Sequence, residues 1–199
     1  MTRCGGAGAR GPAATLRRTF AGARAALLVA AAALAAGCAS VPALAPAPPG
    51  ETLSGRLAMR VEAHGNESAR AFSAAFDLRG DPVAGELGLS TPLGSMLAQA
   101  RWRGDEAVLV TPRGSRSFAD LDQLTREALG ESLPIAAWFD WLRGRPWPGA
   151  PSTPLAGAGA GFAQLGWTVD LERLGTGAVV ATRERPAPTV RVRIQVDPS

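Results

Sequence analysis

The sequence predicts a mainly β chain with a short helical interlude, an α+β fold. Three observations carry this expectation. Between residues 52 and 111 apolar side chains recur at every second position, punctuated by Gly, Pro, Asn and Asp. Between residues 120 and 144 their spacing changes to three and four, the period of a helix. From residue 164 to residue 196 the alternation returns. Short polar turns between successive alternating runs favour antiparallel pairing, so the first five strands read as a meander.

The first strand alternates over residues 52–63. Leu53, Gly55, Leu57, Met59 and Val61 share one face; Thr52, Ser54, Arg56 and Arg60 share the other. His64-Gly65-Asn66 then signals a turn, and His64, the sole His, is expected to be solvated there rather than catalytic. The second strand sets Phe72, Ala74, Phe76 and Leu78 against Ser73, Asp77 and Arg79. Gly80-Asp81-Pro82 turns the chain into a third alternating run, Val83, Gly85, Leu87 and Leu89. The fourth runs through Met96, Ala98, Ala100 and Trp102. Between them stands Leu89-Ser90-Thr91-Pro92-Leu93-Gly94-Ser95-Met96. Pro92 cannot donate to a ladder and Gly94 frees the backbone, so this is a tight corner with Leu93 bare at its tip. Gly104-Asp105 makes a two-residue hairpin turn into Ala107–Val110, the fifth strand, and Pro112-Arg113-Gly114 turns again.

Asp120 with Gln123 three residues on has the form of a capping box, and Leu121, Leu124, Ala128 and Leu129 follow at helical spacing up to Gly130. A second helix starts near Ser132-Leu133-Pro134 and stops at Gly144. It carries Ile135, Trp138, Phe139, Trp141 and Leu142 almost all round, so it is buried on several sides or plugs a cavity. Pro146-Trp147-Pro148-Gly149 opens a segment rich in Ala, Gly and Pro, expected to be a mobile loop as far as Gly161. The closing strands are Gln164–Leu171, with Trp167, Val169 and Leu171 in alternation, then Val179–Ala181 after the Gly175-Thr176-Gly177 turn. The last places Val190, Val192, Ile194 and Val196 opposite Arg191, Arg193 and Gln195. Strand faces rich in Leu, Val, Phe and Met under an aromatic helix can enclose an apolar cavity.

Charge separates the chain into parts. The formal net charge is +4, but residues 1–37 hold five arginines and no acid, which leaves 16 basic and 17 acidic residues beyond them, a net of −1. The remaining domain has no electrostatic case for a nucleic acid. Of the two cysteines, Cys4 lies in the basic leader and Cys38 follows the apolar run 25–36, so no disulfide and no thiolate metal site is expected in the domain. That run is too short for a comfortable membrane span and suits a signal-peptide core. With one His and no domain Cys, most nucleophile–base pairs are excluded, and no phosphate-loop, dinucleotide or metalloprotease motif occurs. Asp120 and Asp122 sit where a helix cap needs them. Arg143 and Arg145 beside Trp147 could hold an anion but read as a solvated helix end. No enzymatic activity, metal or cofactor is expected.

Leu34-Ala35-Ala36-Gly37-Cys38 resembles a bacterial lipobox. The resemblance implies a signal peptide over 1–37, S-diacylglycerol and N-palmitoyl groups on Cys38, and a Pro-rich tether over 38–51. Ala39, rather than Asp, implies sorting to the outer membrane. Three segments together then resemble the LolB family of outer-membrane lipoproteins: this lipobox, the Leu-Ser-Thr-Pro-Leu-Gly-Ser corner, and Leu133–Pro146 with Gln164-Leu165-Gly166-Trp167 after it. The resemblance covers residues 52–197 in order, within a domain over 52–199. It implies a half-open antiparallel β-barrel covered by short helices, with an apolar cavity for acyl chains. It also implies a receptor that accepts lipoproteins from a periplasmic, LolA-like carrier and inserts them into the outer membrane. Pro92, Leu93 and Gly94 match its membrane-insertion loop. Leu57, Met59, Phe72, Phe76, Leu87, Leu89, Trp102, Trp138, Phe139, Trp141 and Trp167 are the expected cavity lining. The expected partners are the carrier, the acylated cargo and outer-membrane lipid met through Cys38 and Leu93, with the chain a monomer on the periplasmic face. The alternative is a structural or assembly lipoprotein acting as a protein-interaction module, which a filled interior would favour. A soluble periplasmic lipid carrier is disfavoured by the lipobox.

Overall fold

The structure is a computed structural model and describes residues 50–157 and 159–198. The leader, Cys38 and nearly all of the tether lie outside the described residues.

Eleven strands form one antiparallel sheet among the described residues. In chain order these are β1 (Glu51–Val61), β2 (Arg70–Gly80), β3 (Ala84–Ser90), β4 (Met96–Arg103), β5 (Glu106–Thr111) and β6 (Gly114–Phe118). After two helices, α1 (Leu121–Leu129) and α2 (Ile135–Trp141), come β7 (Ser152–Pro154), β8 (Gly161–Gln164), β9 (Trp167–Asp170), β10 (Ala178–Arg183) and β11 (Val190–Val196). The spatial order is β6-β5-β4-β3-β2-β1-β11-β10-β9-β8-β7. The first and last strands pair in the middle, Gly55 with Val196 through Val61 with Val190. The edges are β6 and β7, which do not pair, so the sheet is a barrel left half open. The connection between those two edges is the helical segment. The fold is thus the expected α+β class, with an apolar cavity described below. No helix among the described residues is long and apolar enough to cross a membrane.

The strand faces follow the alternation. Gly55, Leu57, Met59 and Val61 are buried while Arg56, Ala58 and Arg60 are exposed; Ala74, Phe76 and Leu78 are buried on β2. Two residues assigned to inner faces are not there. Val83 is 68% exposed, because the Asp81 side chain accepts from the backbone N–H groups of Val83 and Ala84 at 2.7 and 2.8 Å and holds a turn, so β3 starts at Ala84. Met96 is exposed because the ladder slips: Leu89 pairs with Ala98 but Ser90 pairs with Met96, leaving Leu97 as the extra residue of a bulge.

Three elements depart from the expected order. β6 exists although only Phe118 of its five residues is buried, so apolar alternation could not reveal it. The expected loop 146–161 contains β7, which pairs with β8 from Ser152–Gln164 to Pro154–Phe162. The strand expected over Gln164–Leu171 is two strands. Leu165 and Gly166, at φ 54° and 79°, make the hairpin turn between β8 and β9. Gln164 is the hub of this region. Its buried amide accepts from Trp141 Nε1 at 2.7 Å and from the Trp147 backbone N–H at 2.9 Å, and donates to the Trp147 and Ala150 carbonyls at 2.7 Å. The loop is therefore tied to β8 and to α2.

Helix α1 starts as expected, with Asp120 accepting from the Gln123 N–H at 2.6 Å. The Gln123 amide oxygen accepts from Ala119 N–H, one residue earlier than a capping box would place it, at 2.9 Å. On α2 every residue except Ala136 is buried, which matches the all-round apolar reading. Its one acid, Asp140, is paired with Arg145 at 2.6 Å.

Candidate functional site

The interior divides into a solid half and a hollow half. The solid half is aromatic. Trp102 and Phe139 meet edge to face with centroids 6.2 Å apart, as do Trp141 and Phe162. Trp102 reaches across β3, where a Cβ on Gly85 would fall 2.3 Å from its ring, so only glycine fits opposite it. Leu57, Met59, Phe76, Trp138 and Trp167 are buried in the same continuous core.

The hollow half lies between β2–β5 and α1. There β4 presents two small side chains, Ala98 and Ala100, between long ones. Leu87 stands opposite Ala100, Leu89 opposite Ala98, and Leu109 opposite Ala100 from the far side. Short side chains between tall ones leave a trough along β4, and α1 roofs it. The result is an apolar cavity of about 240 Å³ lined by Phe72, Leu87, Leu89, Leu97, Ala98, Ala100, Leu109 and Thr111 from the sheet. Leu124, Thr125, Ala128, Leu129 and Ile135 close it from the helices. It carries no charged side chain. Its only side-chain polar atoms are two hydroxyls, and that of Thr125 is engaged, donating to the Asp122 carbonyl at 3.2 Å and accepting from the Leu133 N–H at 3.1 Å. Such a space suits a hydrocarbon chain and penalises anything polar.

The roof is tied down at the α1–α2 junction. Buried Glu131 accepts from Arg183 at 2.6 Å and from Arg70 at 3.2 Å, so the junction is held to β10 and β2 at once. The Arg183 guanidinium also lies 5.5 Å from the centroid of the Trp167 ring. Arg143 and Arg145 are not a free anion site: Arg143 donates to Glu51 at 3.1 Å and Arg145 is taken by Asp140. Burial, with the neighbouring Arg145 charge, pulls the Arg143 pKa below its ordinary value.

At one end of the cavity the chain turns through the Thr91–Ser95 corner, whose flanks Leu89 and Leu97 are themselves wall residues. Thr91 closes the corner three ways. Its carbonyl accepts from Gly94 N–H at 2.9 Å, its own N–H donates to the Ser95 carbonyl at 2.8 Å, and its hydroxyl accepts from Ser95 N–H at 3.1 Å. Gly94 takes φ 84° in open space, a backbone angle other residues avoid. The turn is held by its own backbone, and Leu93 takes no part in packing: it is 95% exposed.

Of the lining residues named from the sequence, Phe72, Leu87 and Leu89 face the cavity. Leu57, Met59, Phe76, Trp102, Trp138, Phe139, Trp141 and Trp167 lie in the packed core beside it. Sequence reasoning missed Leu97, the two alanines of β4, Leu109 and the α1 stripe. The stripe was visible as Leu121, Leu124, Ala128 and Leu129, and its apolar face implied something to cover. Pro92, Leu93 and Gly94 are all exposed at the corner, as drawn. His64 lies in an exposed turn closed by backbone bonds to Glu67.

Comparison with known proteins gives the family. The family model described as outer membrane lipoprotein LolB matches residues 52–197. A protein of Bordetella petrii named outer-membrane lipoprotein LolB is 36% identical over 177 residues, covering 82% of this chain and 87% of its own. Its namesake in Bordetella pertussis is 34% identical over 82% of this chain and 87% of its own. One in Cupriavidus pinatubonensis is 33% identical over 69% of this chain and 67% of its own. With a half-open sheet, an uncharged cavity under α1 and a family match spanning almost every described residue, the chain belongs to the LolB family.

Proposed function

We propose that the chain is an outer-membrane lipoprotein that accepts other lipoproteins from a periplasmic, LolA-like carrier and inserts them into the outer membrane. In this reading residues 1–37 are a signal peptide, Cys38 carries the acyl anchor, and 38–51 are the tether that holds a monomeric domain at the periplasmic face. The acyl chains of the cargo enter the cavity under α1, and Leu93 meets the bilayer at release. No bond is made or broken in the transfer. Each buried methylene contributes about 0.8 kcal/mol, so the roughly eight that a cavity of about 240 Å³ holds would contribute about 6 kcal/mol, enough to hold cargo in transit. The bilayer offers the same chain an equally apolar environment, so delivery needs contact with lipid more than a separate energy source.

The observation that carries this reading is the uncharged cavity whose wall runs directly into the exposed Leu93 corner. It also weighs against the interaction-module alternative, which a filled interior would have favoured. Ala98→Phe tests it. Ala98 is half-buried in the trough, so a ring there occupies the cavity without displacing the packed aromatic half. The expected result is a folded protein with an unchanged melting temperature to within a few degrees that no longer takes radiolabelled lipoprotein from the carrier. Undiminished uptake by the folded variant would exclude this cavity as the acyl site.

A further inference from the structure

The outward face of β1 and β11 carries arginines that neither the core nor the cavity uses. Arg56 and Arg60 on β1, and Arg191 and Arg193 on β11, alternate with buried residues and are all exposed. The register sets Arg60 directly opposite Arg191, and Arg193 opposite Ala58. Like charges facing each other across a strand pair destabilise it, so the sheet gains nothing from this arrangement. Arg60 is paired with Glu62 at 2.8 Å, whereas Arg56, Arg191 and Arg193 make no ion pair with another described residue. The neighbouring outward positions on β2 are small: Ala71, Ser73 and Ala75 stand opposite Arg60, Ala58 and Arg56. The result is a cationic ridge beside a shallow floor, on a domain whose overall charge is slightly negative.

This face is continuous with the corner. Pro92, the neighbour of Leu93, shares a groove of about 580 Å³ with Arg56, Ser73 and Arg193, where one acid, Asp197, stands against the two arginines. An exposed apolar tip beside a patch of cations is the arrangement that favours a lipid interface. The apolar group enters the acyl boundary, and the cations stay among phosphate headgroups. We propose that the outward face of β1 and β11 docks on an anionic membrane surface, Arg56, Arg191 and Arg193 pairing with phosphate headgroups while Leu93 enters the apolar layer beside them. This rests on the reading of Leu93 as the residue that meets the bilayer. It adds an orientation: the receptor lies with this side of the sheet toward lipid, so that the cavity end at the corner is presented to the membrane.

The test uses the full chain, reconstituted through its own acyl anchor into phosphatidylcholine vesicles with or without phosphatidylglycerol. Modification of each arginine by phenylglyoxal is followed by mass spectrometry. Arg191 and Arg193 are expected to react about fivefold more slowly on the phosphatidylglycerol vesicles, the factor that one cation gains at an anionic surface. The protection should disappear near 1 M salt, where screening acts within about 3 Å. Arg103, exposed at the far end of β4, should react equally on both. Equal rates for Arg191 and Arg193 on the two vesicles would overturn the proposal. So would equal protection by soluble glycerol phosphate, which would indicate a small-anion site, or by polyglutamate, which would indicate an acidic-protein surface. Leu93→Glu separates the two readings. Protection that persists in that variant, with insertion of cargo unimpaired, keeps the arginine face and removes Leu93. Absent protection in the unmodified chain, with insertion lost in Leu93→Glu, removes the arginine face alone.

Discussion

Leu93 shows at the scale of one residue how exposure decides a role. A corner that merely turned the chain could have packed its Leu; here Thr91 and Gly94 close the turn and Leu93 contributes nothing to folding. Leu93→Glu should therefore change stability by no more than about 0.5 kcal/mol in urea unfolding. Acceptance of lipoprotein from the carrier in solution should be intact, because the cavity is untouched, while transfer from receptor to liposomes should fail. Loss of both steps together, or a large fall in melting temperature, would mean that the corner supports the fold. This residue was legible because its neighbours are eloquent: Pro92 and Gly94 allow little but a turn, and a turn tip between Pro and Gly is bare. The cavity wall was much less legible, for the opposite reason. Ala98 and Ala100 make the cavity by what they lack, and a small side chain in an alternating strand carries no signal of whether its neighbours fill the space above it. The large aromatics carry the stronger apolar signal, and Trp102, Trp138 and Trp141 are large because they fill the solid half.

At the scale of elements, legibility followed the contrast between faces. β1 and β11 alternate apolar with arginine and were readable almost to the residue, whereas β6 and β7 are edge strands with little to bury. The Leu165-Gly166 turn was hidden because Leu at positive φ is uncommon and the alternation of Trp167 and Val169 ran on past it. The segment from Pro146 to Gly161 was misjudged from composition. Its order comes from the β7–β8 ladder and from one side chain outside it, Gln164. Removing that amide leaves the buried Trp141 indole N–H, the Trp147 N–H and two carbonyls short of partners. At about 1–3 kcal/mol for each buried group left unpaired, with water satisfying part of the set, Gln164→Ala should destabilise the protein by about 3 kcal/mol or more. Equilibrium urea unfolding measures this. A cost below 1 kcal/mol would show that the loop holds itself. Since the cavity lies on the other side of the barrel, between β2–β5 and α1, the folded fraction of this variant should still accept lipoprotein.

At the scale of the whole molecule, the long-range pairing of β1 with β11 closes the sheet at its centre and leaves its opening between β6 and β7. Periodicity marks strands but not partners; the family resemblance implied a half-open barrel, and neither named this pairing. The consequence is mechanical. A chain that must pass from one free edge to the other crosses the opening, and the crossing segment becomes the roof of the cavity. In the proposed function, binding and anchoring fall to different parts of the protein, and their energies differ enough to be separated by experiment. One Leu entering lipid contributes about 1.5–3 kcal/mol, which can bias where the domain touches a bilayer but cannot keep it there. The acyl chains proposed on Cys38, at about 0.8 kcal/mol per methylene, would. Cys38→Ala should therefore yield a protein that incorporates no radiolabelled fatty acid and fractionates away from the outer membrane, while it still takes lipoprotein from the carrier in solution through the unchanged cavity. Label retained on the variant would place the anchor elsewhere. Loss of uptake in solution would mean that the acyl groups on Cys38 take part in binding cargo, and that tether and barrel share that task.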